Sequence, residues 1–345
     1  MSETPWYGPD DSGSASSEFE EPAPPPAPIA PAPPPPRERS PSPKRTTAPP
    51  AKGTLLAHFG AKKVVPPDLD ITFEAQFLKT LIKILQNFQT DANFHFTPTG
   101  INTRFLDNAH VILFEIHLNA AQFPYTFQCP KALCMGLDLK VLSSLLDRVE
   151  KDDLVQLFYA PGQRAISPVL TLHIHTRPTT EAQQQKKKKP GDVSLERSAT
   201  YRIHEKNIET DEVGANLIVD PARLILPSTD FFQIVRKLAG VGDVVELTLG
   251  PDSLRFAVNG DEVGGAEFVI TQHRRDGMLQ NCEFACTPEQ RCTEHFSLQY
   301  LDQLAPIVKI APRMELLMKA ESMLHLRFLL ELGSLDFYLA GRIKE

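Results

Sequence analysis

Apolar residues recur at matching positions in two segments of the chain, Leu139 to Leu157 and Leu298 to Leu316. The two patterns coincide at one constant offset of 159 residues, from position 139 to position 298. In both segments the spacing i, i+3, i+6 and i+10 places the apolar residues on one helix face, and a strand-like run follows. The pattern therefore predicts that one structural unit occurs twice in the chain.

A second pair of segments extends each copy upstream. The helical pattern of Phe77–Phe88 precedes two short strands around a turn at Pro98–Gly100, and that of Phe231–Gly240 precedes two strands around Gly250–Ser253. Each half thus predicts a helix, a hairpin, further strands, a second helix and more strands, which is an α+β domain. Two helices cannot cover both faces of a large sheet, so we expect them to share one face and leave the other solvated.

The first 66 residues differ in composition from the two copies. Nearly half of the 31 prolines in the chain lie between Pro22 and Pro50. Proline fixes φ and removes a backbone donor, and the acidic, small residues nearby offer little apolar surface to bury. We therefore expect a disordered, proline-rich arm at 1–66, a first domain at 67–204, a polar connector at 205–217 and a second domain at 218–345.

The overall composition limits the classes of function. The formal net charge is −7, so contact with nucleic acid would need a local basic surface. Five cysteines in 345 residues indicate a reducing compartment. The chain has no run of 18 apolar residues and begins with an acidic stretch, so we expect neither a membrane span nor a secretory signal.

The sequence offers no pattern typical of an active site. It contains neither a glycine-rich phosphate loop nor a dinucleotide-binding fingerprint. Cys282, Cys286, Cys292 and His295 are separated by three, five and two residues, which matches no common zinc-ligand spacing. Asp107 near His110 is one acid–base pair without a nucleophile. We therefore expect no metal, no cofactor and no enzymatic activity.

Four separated segments resemble one known family. They are "DNAHVILFEIHL" (107–118), "ALCMGLDLKVLSSLL" (132–146), "FSLQYLDQLAPIVK" (296–309) and "LDFYLAGRIKE" (335–345). In this order they closely resemble the eukaryotic and archaeal sliding clamp, proliferating cell nuclear antigen (PCNA), and the similarity runs from Thr72 to Glu345. The resemblance implies two tandem clamp domains and a homotrimeric ring, with helices lining a hole around double-stranded DNA and antiparallel sheets outside.

The resemblance also implies partners and a location. It implies a nuclear protein that tethers DNA polymerase and other replication and repair proteins, and that a clamp loader places on DNA. The long arm and an insertion suggest a divergent eukaryote or a large DNA virus, in which case a viral replication compartment replaces the nucleus.

The family geometry assigns residues to three surfaces. The DNA-facing cations would be Lys79, Lys83, Lys140, Arg236, Lys237 and Lys309. A pocket for clients would be formed by Leu106, His110, Leu113, Ile208 or Val213, Met323, Tyr338, Leu339 and Ala340. The interface between subunits would pair residues 199–204 with residues 265–270 of the next subunit, through Tyr201, Ile203, Phe268 and Ile270.

The sequence also departs from the family. Ser144, Asp147, Gln299 and Pro306 stand where relatives often carry basic residues, so we expect a less basic hole. Gly341 replaces a common proline beside the pocket. A lysine-rich insertion at 177–198, with Lys186–Lys189, lies between the last two strands predicted for the first domain. It could touch flanking DNA or act as an import signal, but its composition favours a disordered polar insertion without either role.

The arm carries a degenerate copy of the motif with which clients bind such clamps. In "KGTLLAHFGAKK" (52–63), Lys52 replaces the leading glutamine, Leu55 takes the aliphatic position, and His58 and Phe59 take the aromatic pair. One hypothesis is that this segment competes weakly for a client pocket in its own or a neighbouring subunit, because a short tether raises its effective concentration. The other is that it is an amphipathic remnant at a domain edge.

Two alternatives to a self-closing ring stay open. The chain could be one subunit of a heteromeric, checkpoint-type clamp. It could also be a monomeric or dimeric processivity factor held on DNA by charge, although a net charge of −7 disfavours this.

Overall fold

Both repeats fold as helices packed on antiparallel sheets. The computed structural model describes residues 66–160, 169–176, 198–209, 220–260, 264–272, 274–275, 278–279 and 282–342. These residues all belong to one compact unit, Lys63–Glu345. The arm motif (Leu55, His58, Phe59), Val213 and residues 177–197 of the insertion lie outside the described residues.

The described part of the chain contains four α-helices, two in each repeat. They are α1 (Ala75–Gln86), α2 (Leu139–Leu146), α3 (Ser228–Leu238) and α4 (Leu298–Gln303). The Asp138 carboxylate caps α2 by accepting a hydrogen bond of 2.9 Å from the Val141 amide. None of the described helices has the length and apolar character that crossing a membrane requires.

Helix α4 is shorter than its apolar spacing predicts. The spacing continues to Val308, but the α-helix ends at Gln303 and a 3₁₀ helix follows at Ala305–Lys309. Pro306 explains the difference, because its ring would clash with the carbonyl of Asp302 in a continuous α-helix.

Within the described residues the strands form three large sheets and one short hairpin. A five-stranded sheet has the order β5 (Phe127–Gln128), β1 (Leu69–Glu74), β7 (Leu154–Tyr159), β8 (Val169–His175), β9 (Ser198–His204). A four-stranded sheet has the order β13 (Gly264–Thr271), β12 (Ser253–Gly260), β11 (Val244–Leu249), β17 (Cys292–Ser297). A nine-stranded sheet has the order β16 (Glu283–Ala285), β10 (Ala222–Pro227), β18 (Arg313–Met318), β19 (Leu324–Leu330), β20 (Gly333–Leu339), β4 (Ile112–Asn119), β3 (Gly100–Leu106), β2 (Asp91–Thr97), β6 (Leu133–Asp138). The hairpin pairs β14 (Arg274–Arg275) with β15 (Met278–Leu279).

The nine-stranded sheet joins the two repeats. Strand β4 of the first repeat pairs with all of β20 of the second, from Ile112 opposite Leu339 to Leu118 opposite Gly333. The contact between the two repeats is therefore a continuous ladder of backbone hydrogen bonds, and this ladder joins them into one sheet.

The helices pack on one face of this sheet. The Phe88 ring, just after α1, lies 4.9 Å from the Phe114 ring, and Phe232 of α3 lies 6.1 Å from Phe328. Most side chains at the alternate positions of β4 and β19, such as Glu115, His117, His325 and Arg327, are polar or charged. This is the pattern of an antiparallel sheet with one solvated face. The predicted α+β clamp architecture is confirmed. We call the helix-covered side the inner face and the opposite side the outer face.

Candidate functional site

Three residues of the predicted client pocket meet on the outer face where the repeats join. The strand register places Leu106 beside Leu113 and Leu113 beside Tyr338, across β3, β4 and β20. Leu113 and Tyr338 are buried and Leu106 is half-buried. We call these three residues the junction patch.

The turn between β3 and β4 places His110 at the rim of this patch. His110 is exposed and has φ of 54°, in the left-handed region. The buried Asp107 carboxylate stabilises the turn, because it accepts hydrogen bonds from the amides of Ala109, Val111 and Ile112 at 3.2, 2.8 and 2.7 Å. Asp107 is thus a structural acceptor of the turn, a role that its spacing from His110 alone did not reveal.

The remaining pocket residues of the second repeat take different positions. Ala340 continues the ladder through its amide, which donates to the Val111 carbonyl at 3.0 Å, and it is half-buried. Met323 is half-buried just before β19. Leu339 has no exposed surface and pairs with Ile112 and Leu324, so it faces the core and supports the patch from within.

The start of the connector is fixed to the same outer face. The Lys206 amide donates to the Gly136 carbonyl at 2.9 Å, and Asn93 Nδ2 donates to the Ile208 carbonyl at 3.1 Å. A Cβ on Gly136 would lie 2.2 Å from the Lys206 carbonyl oxygen and 2.9 Å from Ile208 Cδ1. Glycine is therefore required where the connector crosses β6, two strands away from Leu106.

An ion pair reinforces this anchor. Lys206 Nζ lies 2.7 Å from Asp138 Oδ2 and 3.4 Å from Asp91 Oδ2. Hydrogen bonding to Asp138 is the largest cause that raises the pKa of Lys206, and the contact with Asp91 adds to it. Neither the anchor nor Gly136 was among the predicted residues; a glycine inside a strand pattern was the one signal in the sequence.

The predicted DNA-facing cations fall into two groups. Lys83, Lys140 and Lys309 are exposed side chains on α1, α2 and the 3₁₀ helix. The other three have partners within the protein. Lys79 Nζ donates to the Asp147 carbonyl at 2.8 Å and lies 3.7 Å from its carboxylate.

The two cations of α3 also contact other residues. Arg236 Nε lies 3.8 Å from Asp302 of α4. Lys237 Nζ lies 5.5 Å from the centre of the Phe268 ring, within the range of a cation–π contact. Phe268 belongs to the predicted subunit interface, so Lys237 contacts the edge strand β13.

The two strands predicted to join subunits are both terminal strands of their sheets. Strand β9 ends the five-stranded sheet and β13 ends the four-stranded sheet. Tyr201 on β9, and Phe268 and Ile270 on β13, are half-buried and point to the core side, while Ile203 is buried. Edge strands with partly exposed apolar residues are suited to pairing with another strand.

The cysteines near β17 do not form a ligand cluster among the described residues, where no group of three or more His, Cys, Asp or Glu side chains could hold a metal ion. His295 Nε2 lies 3.3 Å from Glu246 Oε2. Burial, with smaller effects of Cys286 and Glu294, raises the pKa of Cys292 to about 11, so its thiol is protonated at neutral pH.

Two tandem repeats with helices on one face of antiparallel sheets define the DNA-clamp class of proteins. The sequence matches the model of the proliferating cell nuclear antigen N-terminal domain at residues 69–180 and that of the C-terminal domain at residues 221–343. The chain therefore belongs to the PCNA family of DNA sliding clamps.

Proposed function

We propose that the chain closes into a homotrimeric ring around double-stranded DNA and tethers DNA polymerase and other replication and repair proteins. The observation that carries this proposal is the pair of terminal strands β9 and β13, which belong to different sheets and different repeats. Pairing β9 of one subunit with β13 of the next is a head-to-tail contact, and such contacts close into a ring when the rotation allows it.

The ring has no need to read DNA sequence. Phosphate contacts give position and salt-dependent affinity, and exposed cations such as Lys83, Lys140 and Lys309 suit this role. In this proposal the protein is a scaffold without enzymatic activity, a clamp loader opens it, and it works in the nucleus or, for a viral protein, in the replication compartment.

A threading assay tests the ring directly. The protein is incubated with a linear duplex that has free ends, and with the same duplex after both ends are blocked by bound streptavidin. A closed ring can thread only onto the duplex with free ends, and it slides off again over those ends. It cannot thread onto the duplex whose ends are blocked. A factor held by charge would bind both duplexes equally, and a subunit of a heteromeric clamp would bind neither without its partners.

Clients are proposed to bind at the junction patch, beneath the connector. The anchor through Lys206 and Asn93 supports this, because it starts the connector on the outer face that carries the patch. The probe is a fluorescent peptide with glutamine, an aliphatic residue three positions later and two adjacent aromatic residues. Tyr338→Ala should abolish its binding.

The arm motif is proposed to compete for the same patch. Replacing Leu55 and Phe59 together by alanine should then tighten binding of the client peptide, since a tethered competitor is removed. Unchanged peptide affinity in this double variant would exclude the competition.

A further inference from the structure

A row of charged side chains, two carboxylates between two arginines, crosses the outer face beside the junction patch. The strand register places Arg104 beside Glu115, Glu115 beside Asp336, and Asp336 beside Arg327. Arg104 Nε lies 2.9 Å from Glu115 Oε1. The row thus connects β3 and β4 of the first repeat with β20 and β19 of the second.

Asp336 is the buried centre of this row, with 3% of its surface exposed. Its Oδ1 atom accepts hydrogen bonds from His325 Nε2 and Arg327 Nε, both at 2.7 Å, and Ser334 Oγ donates to Oδ2 at 3.4 Å. Burial alone would raise the pKa of Asp336, but the hydrogen bonds from His325 and Arg327 outweigh it and lower the pKa. The carboxylate can only accept, so His325 Nε2 carries the proton.

Tyr338 is held from two sides by this network. Its ring is stacked on the His325 ring, with centroids 4.2 Å apart and planes 18° apart. Its hydroxyl donates to Glu115 Oε2 at 3.5 Å. Burial, then the charges of Asp336 and Glu115, raises the pKa of Tyr338 to about 12, so the hydroxyl keeps its proton as a donor at neutral pH.

We propose that His325 is a positioning residue for client binding. Through its hydrogen bond to Asp336 it fixes the ring that supports Tyr338, and so keeps the junction patch in one shape before a client arrives. A binding surface whose side chains are already held in place loses less conformational entropy when a ligand binds. The inference rests on the proposed function, because it takes the junction patch as the client site.

Two variants separate positioning from general stability. His325→Phe keeps an aromatic ring against Tyr338 but removes the N–H that binds Asp336. Arg223→Gln is the matched control: Arg223 pairs with Glu315 at 2.6 Å on the same face, two strands beyond Arg327, and does not contact Tyr338. For both we measure the affinity of the fluorescent client peptide, the unfolding transition, and the near-ultraviolet dichroism that is lost on Tyr338→Phe substitution.

We expect His325→Phe to weaken peptide binding by roughly three- to tenfold and to change the dichroism of Tyr338, since a hydrogen bond to a charged group is lost. Arg223→Gln should leave both unchanged. Equal peptide affinity in His325→Phe and the unchanged protein would overturn the inference, as would an equal loss in both variants. If His325→Phe does not fold, His325→Gln, which keeps an N–H but lacks the ring, carries the same expectation. Failure of the unchanged protein to bind the peptide would instead overturn the client site itself.

Discussion

Replacing Gly136 by alanine should release the start of the connector from the outer face. The added Cβ would lie 2.2 Å from the Lys206 carbonyl oxygen, so the connector must retreat by about 1 Å or more to reach an ordinary contact distance. That movement breaks the hydrogen bond from the Lys206 amide to Gly136 and the one from Asn93 to Ile208.

The size of the effect follows from these two bonds. Each contributes on the order of 1 kcal/mol, so losing both should lower the free energy of unfolding by about 2 kcal/mol. This lies within the roughly 1–3 kcal/mol that overpacking typically costs. The ion pairs of Lys206 are partly exposed and are left out of this sum, because such pairs contribute little.

Gly240 provides the matched control. Its Cβ would meet no atom closer than the Lys237 carbonyl oxygen at 3.8 Å. Gly240→Ala should therefore be neutral or stabilise by up to about 1 kcal/mol, since alanine restricts the unfolded chain.

Urea unfolding at one fixed protein concentration measures both variants, and amide hydrogen exchange of a peptide that contains Lys206 reports the local release. A Gly136→Ala protein that is as stable as Gly240→Ala, with Lys206 still protected, would refute the close approach of connector and sheet.

Three further predictions concern the interface, the DNA contacts and pH. Phe268→Asp should convert the assembly to monomers in sedimentation velocity, because it would bury a charge in the interface formed by β13. The same change at Leu329, which is exposed and lies inside a sheet, should keep the assembly intact. Lys83→Ala should lower the salt dependence of DNA binding by about one phosphate contact per subunit, while Lys79→Ala should change it less because Asp147 already binds Lys79. Fluorescence anisotropy over a salt series gives the slope of log affinity against log salt concentration for each variant. Equal slopes would contradict the assignment of Lys83, rather than Lys79, as a phosphate contact. The pKa of Asp336 is lowered from 3.8, so its contacts stabilise the fold above that pH and are lost as pH falls through the lower folded-state value. Asp336→Asn should therefore reduce the free energy of unfolding most at pH 7 and progressively less as pH falls below 3.8, and a loss that does not change with pH would argue against an ionised Asp336.

Features that depend on the spacing of apolar residues, such as the helices, could be predicted from the sequence. Contacts that depend on the register between strands could not. The repeated helix faces and the two turns follow from local patterns, and the fold has them. The resemblance to the family, rather than a local pattern, pointed to β9 and β13 as edge strands, and each ends its sheet. The early end of α4 was also readable in principle, because Pro306 cannot continue the helix.

The contacts of the site could not be predicted in this way. Tyr338 meets Glu115 across 223 positions of the chain, and their contact depends on how β20 aligns with β4. Lys79 and Lys237 were predicted as DNA-facing cations from their helix positions, but periodicity does not show that Asp147 and Phe268 lie against them. One residue of slip between β20 and β4 would move Tyr338 to the face opposite Glu115.

The mass of the protein in solution tests the central claim most directly. Light scattering on the full-length chain should give three times 38.4 kDa, about 115 kDa, if β9 of each subunit pairs with β13 of the next and the ring closes. A mass of 38.4 kDa, both for the full chain and after removal of residues 1–66, would contradict a self-closing ring.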